Sequence, residues 1–174
     1  IIQFSVALLL ITGIYVYKYN NEKDLEVSNI SQDIMNDYED IIIKHGNEDE
    51  KVIALTFDDG PDKDFTPQVL DILKKNNVKA TFFMTGGWVD SYPDMVKEIC
   101  SRGHDLGNHS HNHKQMSKLS ASEQKDEIMY VTDKVKELTG YDCFLFRPPY
   151  GDYNSLLINT VYGCNHYPVQ WDVD

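Results

Sequence analysis

The chain has 174 residues and a formal net charge of −12, with 28 acidic and 16 basic side chains. This length suits one domain with attachments, and the acidic surplus argues against a nucleic-acid partner, because its phosphates would be repelled. The three cysteines include no CxxC pair and allow at most one bridge, so a disulfide framework is excluded.

The first segment, Ile1–Tyr17, carries no charged side chain and predicts a single transmembrane anchor. Tyrosines follow the apolar run, which suits a membrane interface, whereas a signal peptide would end in a small-residue cleavage site. A cleaved signal, leaving a secreted protein, and a buried core helix are the alternatives. Residues 18–50 form an acidic spacer with ten acidic residues against three lysines. Since positive charge favours the cytoplasmic side, the remainder is predicted to lie outside the cell membrane.

From Lys51 onward, strand and helix patterns alternate, which predicts an α/β domain with a parallel sheet or barrel over residues 51–174. Ile41–Gly46 is a candidate short strand leading into it. The predicted strands are Val52–Phe57, Lys79–Thr85, His104–Gly107, Cys143–Phe146 and Tyr167–Trp171. The predicted helices are Thr66–Asn77, Pro93–Arg102, Ser120–Thr139, which opens with a capping-box pattern, and Asn154–Tyr162.

Polar clusters follow four of these strands. In parallel α/β folds the carboxyl ends of the strands meet at one rim, so these clusters are expected to converge there. They are the pair Asp58-Asp59, the run "NHSHNH" at Asn108–His113, "RPPYG" at Arg147–Gly151 and "WDVD" at Trp171–Asp174.

The histidine spacing favours a metal site. His109 and His113 are four residues apart, so a helical turn would direct both to one point while His111 faces away. Two imidazoles and one carboxylate make the three-ligand set of a catalytic metal site with open positions. A solvated histidine-rich turn is the alternative.

The adjacent carboxylates suggest a division of labour. Neighbouring side chains at a strand end point in different directions, so one Asp can bind a metal while the other takes a proton from the metal's water. Zn²⁺ lowers the pKa of such a water to about 7, and a carboxylate base can then deprotonate it. An Asx-type turn at "DDGP" is the alternative.

The third cluster adds two further groups. Arg147 is predicted to orient the base carboxylate through a bidentate pair, with a surface ion pair as the alternative. Pro148 and Pro149 lack N–H groups, so Tyr150 is the first residue there able to offer a backbone oxyanion donor. A metal-activated water, a base and an oxyanion donor together indicate hydrolysis of an acyl bond.

The motifs "TFDDGP", "HSHNH" and "RPPYG", with the words "KATFFMTGGWV" and "RGHDLGNHSHNH" around them, resemble the polysaccharide deacetylase family. This is the NodB-homology domain of carbohydrate esterase family four, and the resemblance covers Lys51–Asp174. It implies a distorted (β/α) TIM-like barrel, C-terminally incomplete in this chain. It also implies removal of N-acetyl groups from amino sugars of a cell-wall or extracellular polysaccharide, with peptidoglycan the first expectation and chitin oligomers the second.

The resemblance also implies a role for each matching residue. Asp58 would be the catalytic base and Arg147 its partner. Asp59, His109 and His113 would bind one divalent ion, Zn²⁺ first and Co²⁺ or another ion as alternatives. The residues expected to contact the glycan are Tyr150, Pro149 and Asp174, the last resembling the start of a fourth motif.

One family feature does not appear. Members carry a later Leu-x-His whose histidine is the general acid, and His45, His104 and His166 do not stand in that context. We therefore expect the sequence to be a fragment that deacetylates poorly by itself. The alternative function is a non-catalytic, metal-stabilised glycan-binding module.

Overall fold

Five short parallel strands form one sheet in the order β1-β2-β3-β4-β5. The computed structural model describes residues 41–47 and 49–173. A parallel sheet in consecutive order, joined by right-handed crossovers, carries its helices on one face, as the wall of a barrel does. The predicted α/β fold is confirmed, and across the described residues the sheet is open rather than closed. The strands are β1 Thr56–Asp58, β2 Thr81–Met84, β3 Asp105–Asn108, β4 Leu145–Phe146 and β5 Tyr167–Pro168.

The helices largely follow the predicted positions, with caps that fix their ends. They are α1 Thr66–Lys75, α2 Gly86–Ser91, α3 Pro93–Ser101, α4 Ala121–Thr139 and α5 Ser155–Gly163, with 3₁₀ turns at Met116–Lys118 and Pro149–Gly151. The capping box is confirmed, because Ser120 and Glu123 bond reciprocally at the start of α4. The same helix ends at Gly140, whose φ of 74° is the left-handed conformation that glycine adopts without strain.

Helix α2 was not predicted, because a Gly-Gly pair is a weak helix former. The N–H groups of Gly86 and Gly87 donate to the carbonyls of Ser110 and His111, at 3.1 and 3.2 Å. A Cβ on Gly86 would lie 2.5 Å from His111 Cδ2, so only glycine allows this close approach. Tertiary contacts with the histidine run therefore override the local propensity.

Several predicted strands are shorter than expected. β1 begins at Thr56, not at Val52, and Val52 and Ile53 are exposed. The candidate strand Ile41–Gly46 reduces to a single parallel bridge between Ile43 and Val169, beyond the end of β5. Apolar runs predicted these strands, but backbone pairing, which the sequence does not encode directly, sets where each begins.

The core lies between the sheet and its helices. Residues of β2 and β3 alternate, so Phe82, Met84 and Leu106 pack into it while Phe83 points to the opposite face. All three cysteines are unpaired. The buried side chains of the core are Leu70, Leu73, Ala80, Phe82, Met84, Val89, Val96, Ile99, Leu106, Val131, Val135 and Cys143, with a second cluster of Met116, Ile128, Phe146, Leu157, Val161 and Cys164.

Three predictions fall outside the described residues. The anchor Ile1–Tyr17, most of the acidic spacer and the substrate contact Asp174 are not among them. Across the described stretch, no helix combines the length and apolarity that a membrane crossing requires.

Candidate active site

The two adjacent carboxylates turn to different partners. Asp58 ends β1, and its Oδ1 accepts a hydrogen bond from Arg147 Nη1 at 2.7 Å. Asp59 follows with a φ of 71°, and its Oδ1 lies 3.2 Å from His113 Nε2 and 3.7 Å from His109 Nε2. The strand end therefore separates the pair into a carboxylate bound to a cation and a carboxylate facing two imidazoles.

The donor atoms of Asp59, His109 and His113 fit a metal ion. One ligand atom from each lies within 4.8 Å of the others. Metal bonds of about 2.0–2.1 Å in tetrahedral geometry place donors about 3.3 Å apart, close to the two Asp59–imidazole distances of 3.2 and 3.7 Å. The Asp59 side chain is 66% exposed, so a bound ion would keep open positions toward solvent.

His109 is prepared as a metal ligand by its surroundings. Its Nδ1–H donates to the Arg147 carbonyl at 2.7 Å, which leaves the Nε2 lone pair directed at Asp59 and His113. Burial lowers the pKa of His109, against the opposing charges of Asp58 and Asp59. The neutral imidazole is the form that a metal ion requires.

The histidine run, which we call the His loop (Asn108–His113), is not the helical turn that its spacing predicted. It is an irregular loop in which His113 N–H donates to Ser110 Oγ at 3.1 Å. The loop still brings the rings of His109 and His113 to 5.0 Å between centroids. His111 does face away, stacked on Tyr130 at 3.6 Å.

Four non-glycine residues around the site adopt left-handed backbone conformations. They are Asp59, Ser110, His113 and Tyr150, with φ between 51° and 71°. Such conformations cost of order 1–3 kcal/mol each and cluster at functional sites, where surrounding contacts hold them. The rim is thus a place where the fold sustains local strain.

Glu127 on α4 holds the His loop and was missed by the sequence reasoning. It is buried, and its carboxylate accepts from Asn112 N–H at 2.7 Å, from Asn112 Nδ2 at 2.9 Å and from Lys114 Nζ at 2.9 Å. Its carbonyl accepts from His111 N–H at 3.0 Å. Burial alone would raise the pKa of Glu127, but the bonds from Asn112 and Lys114 outweigh it and lower the pKa.

A signal for Glu127 exists in the sequence. Gln124 and Glu127 lie on the face of α4 that buries Ile128, Val131 and Val135. Polar residues on an apolar helix face need partners in the folded protein, because burying them unpaired is costly. Their position therefore pointed to a polar network beneath the helix.

Arg147 contacts Asp58 through one nitrogen, so the predicted bidentate pair is wrong. Nη1 donates to both Thr56 Oγ1 at 2.8 Å and Asp58 Oδ1 at 2.7 Å, and Nη2 donates to the Gln170 carbonyl at 3.2 Å. The guanidinium carbon lies 4.1 Å from the centroid of the Phe83 ring. With a side chain only 4% exposed, Arg147 is not part of a surface ion pair.

Gly107 makes room for this arrangement. A Cβ there would lie 2.4 Å from Cδ1 of Phe83, so only a glycine lets the Phe83 ring lie flat against β3. Phe83 in turn supports the guanidinium of Arg147. The position of the Asp58 partner therefore depends on backbone packing two strands away.

The "RPPYG" loop places Tyr150 beside the metal ligands. Its ring lies 4.6 Å from the His113 ring and its residue surface is 68% exposed. No hydrogen bond joins the Tyr150 N–H to another described residue. Pro148 and Pro149 are buried beneath it. The oxyanion role of Tyr150 and the substrate contact of Pro149 stay predictions.

The turn after β1 is stabilised by a different aspartate. Asp62 Oδ1 accepts from the N–H groups of Asp64 and Phe65, at 2.7 and 2.6 Å. The Asx-type role considered for "DDGP" thus falls on Asp62, which leaves Asp58 and Asp59 available to the site. A cleft of about 300 Å³ opens beside them, lined by the rings of Phe57, Phe65, Phe82, Phe83 and Trp88.

Neither His104 nor His166 reaches this rim. His104 accepts from Ala80 N–H, before β2 begins, and His166 bonds Thr132 and the Cys164 carbonyl. His45 is exposed in the segment that precedes β1. A general acid for the leaving group is therefore not provided by His104 or His166.

A parallel α/β sheet that carries a His₂Asp set and a second, arginine-paired carboxylate at its carboxyl rim has the groups of a metal-hydrolase site. The family model for polysaccharide deacetylases matches residues 45–168, and the chain belongs to this family.

Relatives of known name agree with this membership. A peptidoglycan-N-acetylglucosamine deacetylase of Bacillus cereus is 42% identical over 122 residues, covering 70% of this chain and 44% of that protein. The peptidoglycan-N-acetylmuramic acid deacetylase PdaA of Bacillus subtilis is 38% identical over 129 residues, covering 74% and 49%. The chain spans about half the length of the curated relatives it matches.

Solved structures share the fold. PdaA of Bacillus subtilis, a family 4 carbohydrate esterase, superposes with a TM-score of 0.74 at 34% identity, covering 82% of this chain and 60% of that chain. A family 4 pseudoenzyme from Bacillus anthracis superposes with a TM-score of 0.73 at 30% identity, covering 76% and 47%. The fold thus occurs with and without activity, so function must be argued from the site residues.

Proposed function

We propose that the chain forms the catalytic site of a metal-dependent N-deacetylase that acts on the amino sugars of peptidoglycan. One observation carries the proposal: Asp58 lies against Arg147 while Asp59 joins His109 and His113 around one open rim. The relatives' names support the glycan as substrate. The donor set suits Zn²⁺ best, with Co²⁺ as an alternative.

The residues divide the work of amide hydrolysis. A divalent ion held by Asp59, His109 and His113 would supply Lewis acidity and favour deprotonation of water. Asp58, which accepts a hydrogen bond from Arg147, would accept that proton. The Tyr150 N–H, which has no partner among the described residues, would donate to the developing oxyanion.

Exposed aromatic rings support a glycan as the ligand. Tyr150 is 68% exposed, Trp88 43% and Trp171 40%. Tyr150 contacts His113, Trp88 lines the cleft, and Trp171 lies 5.7 Å from the Arg147 guanidinium. Flat apolar rings around a few polar groups are typical of small-molecule sites, and they suit the apolar faces of sugar rings.

Acetate release tests the activity. The protein expressed from its complete reading frame should release acetate from N-acetylated peptidoglycan oligomers, lose this activity with a chelator and regain it with Zn²⁺. Oligomers acetylated only on glucosamine or only on muramic acid identify the sugar, and chitin oligomers test the second substrate class. Stoichiometric metal without acetate release from any of these would refute the proposal.

A non-catalytic glycan-binding module is the second candidate, favoured by the likeness to a pseudoenzyme. It predicts glycan binding without acetate release in the same samples. The intact set of Asp58, Asp59, His109 and His113 argues for the enzyme.

We propose further that Ile1–Tyr17 anchors the protein in the cell membrane with the domain outside. The uncharged segment and the acidic spacer support this placement. The protein should sediment with membranes, and external protease should remove the domain from intact cells stripped of wall. Recovery of a shortened soluble protein would favour a cleaved signal instead.

A further inference from the structure

A second pocket lies at the opposite end of the sheet from the candidate active site. We call it the basal pocket, and its volume is about 330 Å³, the lower end of the range for small-molecule sites. Lys79 lies two residues before β2 and His104 directly precedes β3, whereas the metal ligands follow the strands. It is lined by Leu73, Val78, Lys74, Lys79, Arg102 and His104.

His104 offers an unpaired donor to this pocket. It is 4% exposed, and its Nδ1 accepts from Ala80 N–H at 3.2 Å. Since a backbone N–H can only donate, Nδ1 is the unprotonated nitrogen and Nε2 carries the hydrogen. No described residue accepts from Nε2. Among the described residues, Arg147 Nε is the only fully buried side-chain nitrogen or oxygen without a hydrogen-bond partner. His104 Nε2 also lacks a partner among these residues, so it is not fully buried and borders open space.

Positive charge is held beside this donor. Lys79 Nζ donates to the Arg102 carbonyl at 2.5 Å, which fixes the ammonium at the pocket. A Cβ on Gly103 would lie 3.2 Å from the same Nζ, so glycine leaves space for it. Burial, followed by the charges of Lys79 and Arg102, lowers the pKa of His104. The ring is therefore neutral and lies close to these two positive charges.

The basic side chains differ in how far they are already neutralised. The Arg102 guanidinium pairs with Asp71 at 2.8 Å and Glu98 at 2.6 Å. Among the described residues, Lys79 Nζ bonds only the Arg102 carbonyl, and Lys74 has no ion pair. Two ammonium groups and one imidazole N–H therefore stay available to an acceptor.

We propose that the basal pocket binds a small oxyanion, a phosphate or carboxylate group, through Lys79, Lys74 and the Nε2–H of His104. An anion in the pocket would accept from the Nε2–H of His104, and the two ammonium groups that line the same pocket would balance its charge. The chain's net charge of −12 opposes anions at long range, but salt screens charges beyond about 8 Å at physiological ionic strength. The inference does not depend on the proposed deacetylase activity.

Titration at constant ionic strength tests the pocket directly. Inorganic phosphate and acetate are added in separate series while long-range ¹H–¹⁵N spectra follow the His104 ring. One of the two anions should shift these resonances saturably, and the stronger one identifies the group. Lys79→Gln should weaken this binding about tenfold or more, the effect of losing one charge-assisted hydrogen bond.

Matched variants distinguish a specific anion site from a nonspecific effect of positive charge on anion binding. Lys75→Gln removes the same charge at the end of α1, outside the pocket, and should leave the affinity unchanged, whereas Lys79→Arg should keep it. His104 is left in place, because its Nδ1 also satisfies Ala80 N–H. No saturable shift with either anion, or equal weakening by Lys75→Gln and Lys79→Gln, would overturn the proposal.

Discussion

At the scale of single residues, the chemistry depends on two neighbouring carboxylates that meet different partners. Asp58 accepts from Arg147, while Asp59 faces His109 and His113. Two adjacent carboxylates in one environment would repel each other. Here a guanidinium compensates one charge, and a metal ion would compensate the other.

Because Asp58 and Asp59 have different partners, substitution of each should affect metal binding and rate differently. Asp58→Asn keeps the hydrogen-bonding shape but removes the base, so it should keep the metal and lose about 10²–10⁴ in rate. Asp59→Asn should lose both metal and rate. Acetate release and elemental analysis on the same samples measure the two effects.

Asp64→Asn is the matched control, because Asp64 is an exposed carboxylate paired with Lys63 in the same turn. It should change neither quantity. If Asp58→Asn loses the metal and keeps the rate, the two assignments are reversed.

The sequence predicted which side chains would meet, but not how they touch. Placing Asp58, His109 and Arg147 at one rim required only that parallel strands end together. The single-nitrogen contact of Arg147 depends on Thr56, Gln170 and the Phe83 ring. Those contacts come from three different strands or loops, and a local pattern does not encode their distances.

At the scale of elements, the His loop is held by structure on two sides. Helix α2 donates two backbone N–H groups to it, and Glu127 of α4 binds Asn112 and accepts from His111 N–H. The ligands His109 and His113 flank the held residues. The position of α4 is thus coupled to the geometry of the metal set.

Glu127→Gln should therefore weaken metal binding without removing a ligand. The amide oxygen can still accept from Asn112 Nδ2 and Lys114 Nζ, but the NH2 group that replaces the second oxygen cannot accept from Asn112 N–H. Loss of such supporting contacts typically costs about 10–100-fold in metal affinity or activity. Competition with a chromogenic chelator measures the affinity.

Glu137→Gln is the control on the same helix, because Glu137 is exposed and, among the described residues, pairs with Lys134. Equal metal affinities for wild type, Glu127→Gln and Glu137→Gln would show that the contacts of Glu127 with the His loop do not support the metal ligands.

The elements also show where sequence patterns are sufficient. Helix α4 was predicted with its cap and its end, because Ser120, Glu123 and Gly140 act locally. Helix α2 was missed, since its formation depends on Ser110 and His111, more than twenty residues away. The predicted strand boundaries were wrong for the same reason, because the pairing partner determines where each strand begins and ends.

At the scale of the whole molecule, buried neutral histidines link stability to pH. Burial lowers the pKa of His104 and of His166 below the ordinary value of 6.5. The unfolded chain therefore binds more protons than the folded chain once the pH falls below about 6.5. Their stabilising contribution is complete above that pH and is lost progressively as the pH falls toward the lower folded-state values.

Urea unfolding between about pH 7.5 and 5 should show this loss, before carboxylates with ordinary values near 4 begin to titrate. His166→Gln should reduce the slope of stability against pH, because it removes one of the buried imidazoles. A slope unaffected by His166→Gln would contradict this account.

The overall architecture was the most predictable level. Alternating strand and helix patterns predicted the parallel α/β sheet, and the motifs predicted the family. The basal pocket was not predicted, because His104 stood out in the sequence only as a histidine without a catalytic context. The role proposed for His104 depends on its hydrogen bond from Ala80 N–H and on its position beside Lys79, which only the folded chain brings together.

The central claim is that Asp59, His109 and His113 hold one divalent ion. Elemental analysis after equilibrium dialysis against Zn²⁺ tests it most directly, on wild type, His109→Ala, His113→Ala and the control His111→Ala, whose ring stacks on Tyr130 outside the set. We predict about one ion per chain for wild type and His111→Ala, and a loss of stoichiometric binding in the other two. Unchanged metal content in both His109→Ala and His113→Ala would contradict the assigned site.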